Sequence, residues 1–450
     1  MQLPDSFIEQ MRSSFSEEEL QEFVDAIGST PITSIRINGD KMPETALDEF
    51  NLQNPVLWAS NAYYLNERPS FTFDPLFHAG CYYVQEASSM FVEQAVKQCN
   101  FTEPVTVLDL CAAPGGKSTH LCSLLPKGSL LVANEIHRGR AQILAENLTK
   151  WGKPEVIVTS NTPQQIGESG LQFDLILVDA PCSGEGMFRK DEGAIAEWSM
   201  KNVQECAERQ CDILDDVWDA LKPGGILIYS TCTFNREENE KNAQWIAEEL
   251  GAEILPISHD PAWGITEGKP GYHFYPHKTK GEGFYICAFR KHGVATGAFR
   301  IPKQKNPVSE TVEFKDIMQS WLQHPEQWTI RQQDRFVVAY PAKYKQLIEF
   351  LNSQFICIST GFGIGELRGK TVVPQHALAM LKDVNKNAFN KVELTLDQAL
   401  SYLRNEALTL PNAATGVVMV TYENVPLGFV KNVGNHCNNL YPKEWRIRKL

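Results

Sequence analysis

The sequence predicts an α/β protein. A Rossmann-like, doubly wound parallel sheet forms the middle, with a small α+β domain before it and an α+β module after it. Three observations predict this. Between residues 105 and 229, five short continuous apolar runs alternate with helical stretches, the pattern of parallel strands covered on both faces. A glycine-rich turn directly follows the first run. The composition is 43% hydrophobic, 10% aromatic and 22% charged over 450 residues, which is ordinary for globular protein and sufficient for a large core.

In chain order, residues 1–92 read as an accessory domain. Ser6 with Glu9, and Ser16 with Glu19, have capping-box spacing ahead of helical apolar positions: Phe7, Met11 and Phe15, then Leu20, Phe23, Val24 and Ile27. A strand over 34–38 follows, then a loop-rich stretch with Pro43, Pro55 and Pro69. Residues 93–292 hold the central domain. Its strands are expected at 105–110, 129–134, 156–159, 173–178 and 225–229. Helices are expected up to about Leu125 and at 138–150, 203–221 and 237–250, and a late strand at 284–289. Residues 293–309 read as a basic linker. Residues 310–450 mix helices and strands, include a glycine-rich 360–365 segment and end in the basic 443–449.

Several classes are excluded. No apolar run approaches the roughly 20 residues of a membrane helix, and the acidic, amphipathic start lacks the order of a signal peptide. Eleven scattered cysteines without a CxxC pair argue against a zinc site or a disulfide framework, and imply a reduced, cytoplasmic protein without a metal. A net charge of −13 argues against nucleic-acid binding over the whole surface, so such binding must use local basic patches. One candidate lies between Lys269 and Lys305, where eight Lys or Arg face one acid, Glu282; a solvated linker is the competing reading.

The loop after the first strand reads Asp109-Leu110-Cys111-Ala112-Ala113-Pro114-Gly115-Gly116-Lys117-Ser118. Its glycines permit close backbone approach to a ligand, and the next helix presents unpaired N–H groups. Glu135 ends the second strand, where an acid can accept both hydroxyls of a ribose. A dinucleotide fingerprint is interrupted by Ala113 and Pro114. A phosphate-binding P-loop needs glycine where Cys111 stands. S-adenosylmethionine carries no phosphate, and needs only the glycine turn and the ribose acid. The methyl donor fits best.

Asp179-Ala180-Pro181-Cys182-Ser183-Gly184-Glu185-Gly186 follows the fourth strand, and Ser230-Thr231-Cys232-Thr233 follows the fifth. Ligands of open parallel sheets lie beyond the carboxyl ends of strands, so both cysteines should flank one crevice. The other cysteines outside these loops, such as Cys206 and Cys211, read as small buried hydrophobes. A thiol at the crevice has a use. Carbon 5 of cytosine attacks a methyl sulfonium poorly until a thiolate adds to carbon 6 and makes the ring an enamine. Asp179 could hydrogen-bond the ring nitrogen or amino edge.

These segments, with Glu237, Glu238, Asn239 and Tyr83-Val84-Gln85-Glu86-Ala87-Ser88-Ser89-Met90, resemble the Sun/Nop family of RNA 5-methylcytosine methyltransferases over residues 30–291. The extensions and the ending 441–448 resemble its bacterial RsmF-type branch, which acts on small-subunit ribosomal RNA and carries a C-terminal PUA-like module. The resemblance implies Cys232 as nucleophile and Cys182 as the aid to release of the methylated base. The two loops alone leave that assignment open. It also implies cofactor contacts from Cys111, Ala112, Ala113, Pro114, Gly115, Gly116, Lys117, Glu135 and Asp179. The family commonly has an acid after the third strand; here Asn161 or Thr162 would replace it with a neutral hydrogen bond.

The expected function is therefore S-adenosylmethionine-dependent methylation of cytosine in ribosomal RNA, with ribosomal RNA or the small subunit as partner. The rivals are the same chemistry on transfer RNA and a non-catalytic RNA-binding assembly factor. The 36–38 strand, the 269–305 stretch and the C-terminal module are the candidate RNA-backbone contacts.

Overall fold

The computed structural model describes residues 3–47, 52, 54–293 and 312–448. Two helices, Asp5–Arg12 and Glu17–Ile27, open the chain. Ser16 caps the second, its hydroxyl accepting from the Glu19 N–H at 3.2 Å, as predicted. Ser6 caps nothing. Pro4 is the residue flanking the first helix, which starts at Asp5; this puts Ser6 inside it, and Glu9 pairs with Arg12 at 3.0 Å instead. Three antiparallel strands follow, with β1 (Thr33–Ile37) between β2 (Ala62–Leu65) and β3 (Tyr82–Val84). The two helices do not cover this sheet. Their Phe7 and Phe23 reach the central domain, packing with Phe188, Trp198, Phe234 and Tyr275.

The central strands are β4 (Thr106–Asp109), β5 (Leu130–Asn134), β6 (Val156–Thr159), β7 (Phe173–Asp179) and β8 (Leu221–Thr231). They lie parallel in the order β8-β7-β4-β5-β6. Each is nearly all buried, because helices cover both faces. The chain starts at β4, winds outward to β6, then returns to β7 and winds the other way. The switch between β4 and β7 opens a crevice at their carboxyl ends. The helix before β8 is Met200–Trp218, so Leu221 belongs to the strand and not to the helix.

Beyond β8 come β9 (Ala252–Leu255), β10 (Thr266–Glu267), β11 (Tyr272–Phe274) and β12 (Phe284–Lys291). Strand β12 runs antiparallel beside β8. In the C-terminal region, β13 (Trp328–Gln333), β14 (Phe336–Pro341), β16 (Phe362–Arg368) and β17 (Thr371–Pro374) form one antiparallel sheet. Between them in sequence, β15 (Cys357–Ser359) adds antiparallel to β6 and closes that edge of the central sheet. A last sheet holds β18 (Asn390–Glu393), β19 (Gly416–Tyr422), β20 (Val425–Asn432) and β21 (Cys437–Asn439). No helix among the described residues is long and apolar enough to cross a membrane.

Two expected RNA contacts change meaning. Arg36 is 1% exposed. Its Nε donates to Gln85 Oε1 at 2.9 Å, its Nη2 donates to Thr119 Oγ1 at 2.6 Å, and its guanidinium lies 4.5 Å from the Trp151 ring. Asn38 is also buried, donating to the carbonyls of Gly80 and Trp151. Both side chains therefore join the first sheet to the central domain and are closed to a phosphate backbone. In the 269–305 stretch, Lys278 pairs with Glu19, Lys280 lies over Tyr64, Arg290 pairs with Glu253 and Lys291 donates to the Trp218 carbonyl. Arg300, Lys303 and Lys305 lie outside the described residues.

Arg36→Ala is expected to lower stability by about 3 kcal/mol, since it removes charge-assisted hydrogen bonds and leaves their buried acceptors unpaired. The urea unfolding midpoint measures this. The salt dependence of RNA binding is expected to stay as in the unmodified chain.

Candidate active site

The ends of the five central strands build the site. From β4 comes Asp109, fully buried, whose Oδ2 accepts from Ser118 Oγ at 2.6 Å. Its Oδ1 is buried without a hydrogen-bond partner. Burial, opposed by the Ser118 hydrogen bond and reinforced by Asp179, pushes this carboxyl up to about 7. The loop then turns at Gly115, where φ is +115° and an added Cβ would lie 3.2 Å from Leu144 Cδ1. Only glycine suits that backbone. Asn134, ending β5, braces the loop ends: its amide donates to the carbonyls of Leu110 and Asn161, and its oxygen accepts from Thr159 Oγ1.

Beside it, Glu135 is 3% exposed, with Oε1 accepting from the His137 N–H at 2.9 Å and Oε2 3.2 Å from Arg140 Nη1. A carboxylate fixed in this way keeps lone pairs for further donors. Asn161 is held by the backbone of Ile356, just before β15: its Oδ1 accepts from that N–H at 3.1 Å. Thr162 caps the helix Pro163–Gly167. Both side chains predicted near the cofactor thus already carry structural bonds.

From β7 comes Asp179, whose Oδ2 lies 2.8 Å from Lys117 Nζ and whose Oδ1 accepts from Ser230 Oγ at 2.8 Å. Burial works against the Lys117 charge, but Asp179, then Cys232 and Asp109, outweigh it and raise its pKa. Beyond Asp179, the Cys182 and Cys232 sulfurs stand 3.0 Å apart. The hydrogen bond with Cys232, and then burial, raise the Cys182 pKa well above that of an ordinary thiol. Cys111 is also pushed far up, by burial and then by Asp109, Asp179 and Glu135, so this third cysteine stays a thiol.

Two buried acids to which the sequence reading gave no role, Glu238 among the residues of the family resemblance and Glu185 within the Cys182 loop, hold the cysteine loops. Glu185 is 1% exposed and accepts from six donors. These are Gln10 Nε2, Trp198 Nε1, Thr233 Oγ1, Asn235 Nδ2 and the N–H groups of Phe234 and Asn235. Glu238 accepts from the Ser183 N–H and hydroxyl, Gln210 Nε2 and Asn235 Nδ2. Burial raises the Glu238 carboxyl despite those bonds. Glycines flanking Glu185 were the available signal: an added Cβ at Gly186 would come 2.7 Å from the Cys232 and Gly283 carbonyl oxygens.

The residues present fit S-adenosylmethionine. An orphaned carboxylate oxygen is costly unless a ligand donor reaches it, and the donor's ammonium can supply one. The glycine turn and strand-end acid suit its ribose. The fold and this site define an S-adenosylmethionine-dependent methyltransferase. Residues 98–290 match the family 16S rRNA methyltransferase RsmB/F. Residues 3–87 match the N-terminal domain of 16S rRNA methyltransferase RsmF, and 389–447 the methyltransferase RsmF PUA domain. The chain is 31% identical to ribosomal RNA small subunit methyltransferase F of Aliivibrio fischeri, covering 98% of this chain and 97% of that protein. The Escherichia coli protein of the same name is 32% identical, over 98% and 96%. A methyltransferase homologue from Pyrococcus horikoshii superposes with a TM-score of 0.52 and 29% identity, covering 64% of this chain and all of that structure. The chain belongs to the RsmF family of methyltransferases.

Asp109→Asn tests the orphaned oxygen. A folded-state carboxyl raised to about 7 stabilises the fold at acid pH, and that stability is lost as pH rises through 7. The neutral variant escapes this loss. It is expected to melt above the unmodified protein at pH 8 but not at pH 4, by an amount on the order of 2–4 kcal/mol. Calorimetric titration should show weaker methyl-donor binding in the same variant.

Proposed function

We propose that this protein transfers a methyl group from S-adenosylmethionine to carbon 5 of a cytosine in small-subunit ribosomal RNA, through a covalent adduct on Cys232. The observation that carries this reading is the pairing of two cysteine sulfurs 3.0 Å apart, next to the Lys117–Asp179 ion pair at the switch-point crevice. The names of the similar proteins favour ribosomal RNA over transfer RNA as the substrate.

Cys111, Ala112, Ala113, Pro114, Gly115 and Gly116 form the loop that would cradle the donor. Asp109 and Glu135 would accept hydrogen bonds from its ammonium and ribose, and Asn161 and Thr162 would stand near its adenine. When bound, S-adenosylmethionine supplies an electrophilic methyl group on a sulfonium. Lys117, held by Asp179, places a positive charge beside the cysteine pair. Ser230 and Lys117 fix Asp179, so that its carboxyl can face the polar edge of the base. The Cys232 sulfur forms a bond to carbon 6, and the displaced ring electrons make carbon 5 nucleophilic towards the methyl group. Cys182 first gives its own proton to water and then, as a thiolate whose raised pKa makes it the stronger base, takes the carbon-5 proton. The electron pair left behind re-forms the 5,6 double bond, and the Cys232 sulfur leaves as thiolate. The base must be unpaired or extruded to enter the crevice.

The two sulfurs are told apart by what each removal leaves behind. Cys232→Ala is expected to bind donor and RNA yet give neither product nor adduct. Cys182→Ala is expected to accumulate a protein–RNA species that survives denaturing electrophoresis and vanishes when Cys232 is also replaced. If Cys232→Ala traps RNA and Cys182→Ala is simply inactive, the roles are reversed. If neither change affects turnover, no covalent step occurs.

A further inference from the structure

Of the eleven free cysteines, Cys182 and Cys232 alone put sulfur against sulfur among the described residues, 3.0 Å apart. Where another thiol makes a hydrogen bond, it finds an oxygen instead: Cys81 meets the Lys41 carbonyl, Cys99 the Ala95 carbonyl, Cys206 the Asn202 side chain and Cys211 the Asn242 side chain. The Cys232 N–H also donates to the Cys182 sulfur, at 3.4 Å. Both side chains are only half-buried, so a small solute in the crevice reaches them.

A disulfide needs its sulfurs about 2.05 Å apart. The pair lies roughly 1 Å beyond that, a closure that side-chain torsions can supply. No strand has to shift, because β7 and β8 already run side by side with Asp179 opposite Ser230. Glu238 keeps the loops from drawing apart, since it accepts from Ser183 after one cysteine and from Asn235 after the other. Methylation uses the two sulfurs at different moments, one to bond carbon 6 and one to take a proton. Neither step needs them in contact with each other.

We infer that the pair is also a redox switch, in which a hydroperoxide joins Cys182 and Cys232 in a reversible disulfide that stops methyl transfer. Two steps balance the electrons. The Cys232 thiolate attacks the peroxide O–O bond, which breaks to leave a sulfenic acid on that sulfur and to release hydroxide or alkoxide. The Cys182 sulfur then attacks the sulfenic sulfur, and its proton leaves with the displaced hydroxyl as water while the S–S bond forms. Its hydrogen bond with Cys232, and then burial, raise the Cys182 pKa, so it keeps its proton and takes this second part. The two thiols are oxidised by two electrons, and hydrogen peroxide is reduced to two waters. A dithiol reverses the bond by exchange. In reducing surroundings such a bond is transient and senses oxidant. It also shelters the nucleophile, because a sulfenic acid without a neighbouring thiol is carried on to sulfinic acid, which thiols do not reduce.

The switch stands on the placement of the two sulfurs and does not need the reading that Cys232 bonds cytosine, so it is tested first without RNA. Hydrogen peroxide in excess is added to the full chain, and the remaining thiols are alkylated after denaturation. The unmodified chain is expected to lose two of its eleven thiols, to yield an unreduced peptide pair joining Cys182 to Cys232, and to regain both thiols in dithiothreitol. Methyl transfer to a 16S ribosomal RNA transcript should fall at least about tenfold and return with the thiols. The affinity for S-adenosylmethionine, read by calorimetry, should stay unchanged, because Asp109 and Glu135 are untouched. Cys182→Ala treated in the same way should carry two added oxygens on Cys232 that dithiothreitol does not remove. Oxidation of other cysteines while this pair stays free overturns the inference. So does sulfinic acid on Cys232 of the unmodified chain with the Cys182 thiol left intact. A linked pair that forms and reverses in a chain with no methyl transfer before oxidation upholds the redox chemistry and overturns the substrate reading instead.

Discussion

The active site depends on two buried carboxylates. Glu185 and Glu238 lie under the cysteine loops, and Asn235 donates to both. Burying a carboxylate costs several kcal/mol, which hydrogen bonds return only when the geometry is good. Glu185 collects six donors and Glu238 four, so the net stability gained is small while the geometric constraint is strong. The donors come from both loops: Ser183 follows Cys182, and Thr233, Phe234 and Asn235 follow Cys232. The two sulfurs therefore do not meet by chance at the ends of adjacent strands. They are held in one register by acids that both loops must satisfy.

The same constraint reaches the ends of the chain. Gln10, on the first helix, donates to Glu185 at 3.0 Å, and Phe7 packs at 5.1 Å from Phe188 behind the Cys182 loop. On the far edge, β15 extends the central sheet and Ile356 grips Asn161 beside the cofactor crevice. The accessory regions thus shape the catalytic domain directly.

Much of this was readable in the sequence, and the reasons are specific. Continuous apolar runs located β4 to β8 because parallel strands buried on both faces must be apolar at every position. The crevice residues followed from strand ends, and the structure brings Asp109, Lys117, Asp179, Cys182 and Cys232 together there. What failed to show was tertiary. Arg36 read as a surface cation because nothing local announces that Trp151 will cover it. Strand β15 is three residues long, and its pairing partner lies some two hundred positions earlier, so no periodicity marks it. Ser6 had capping spacing, but the helix starts at Asp5, directly after Pro4. Glu185 looked like any acid in a glycine-rich turn, since burial among six donors is a property of the assembled loops.

The central claim is that the two buried carboxylates lock both cysteine loops as one unit, and amide hydrogen exchange in Glu185→Ala tests it most directly. In the unmodified protein the Ser183, Gly186, Phe234 and Asn235 amides should exchange only through large-scale opening. The account predicts that Glu185→Ala loses protection at all four together while β7 and β8 stay protected. Loss confined to Phe234 and Asn235, with the Cys182 loop unchanged, would contradict it.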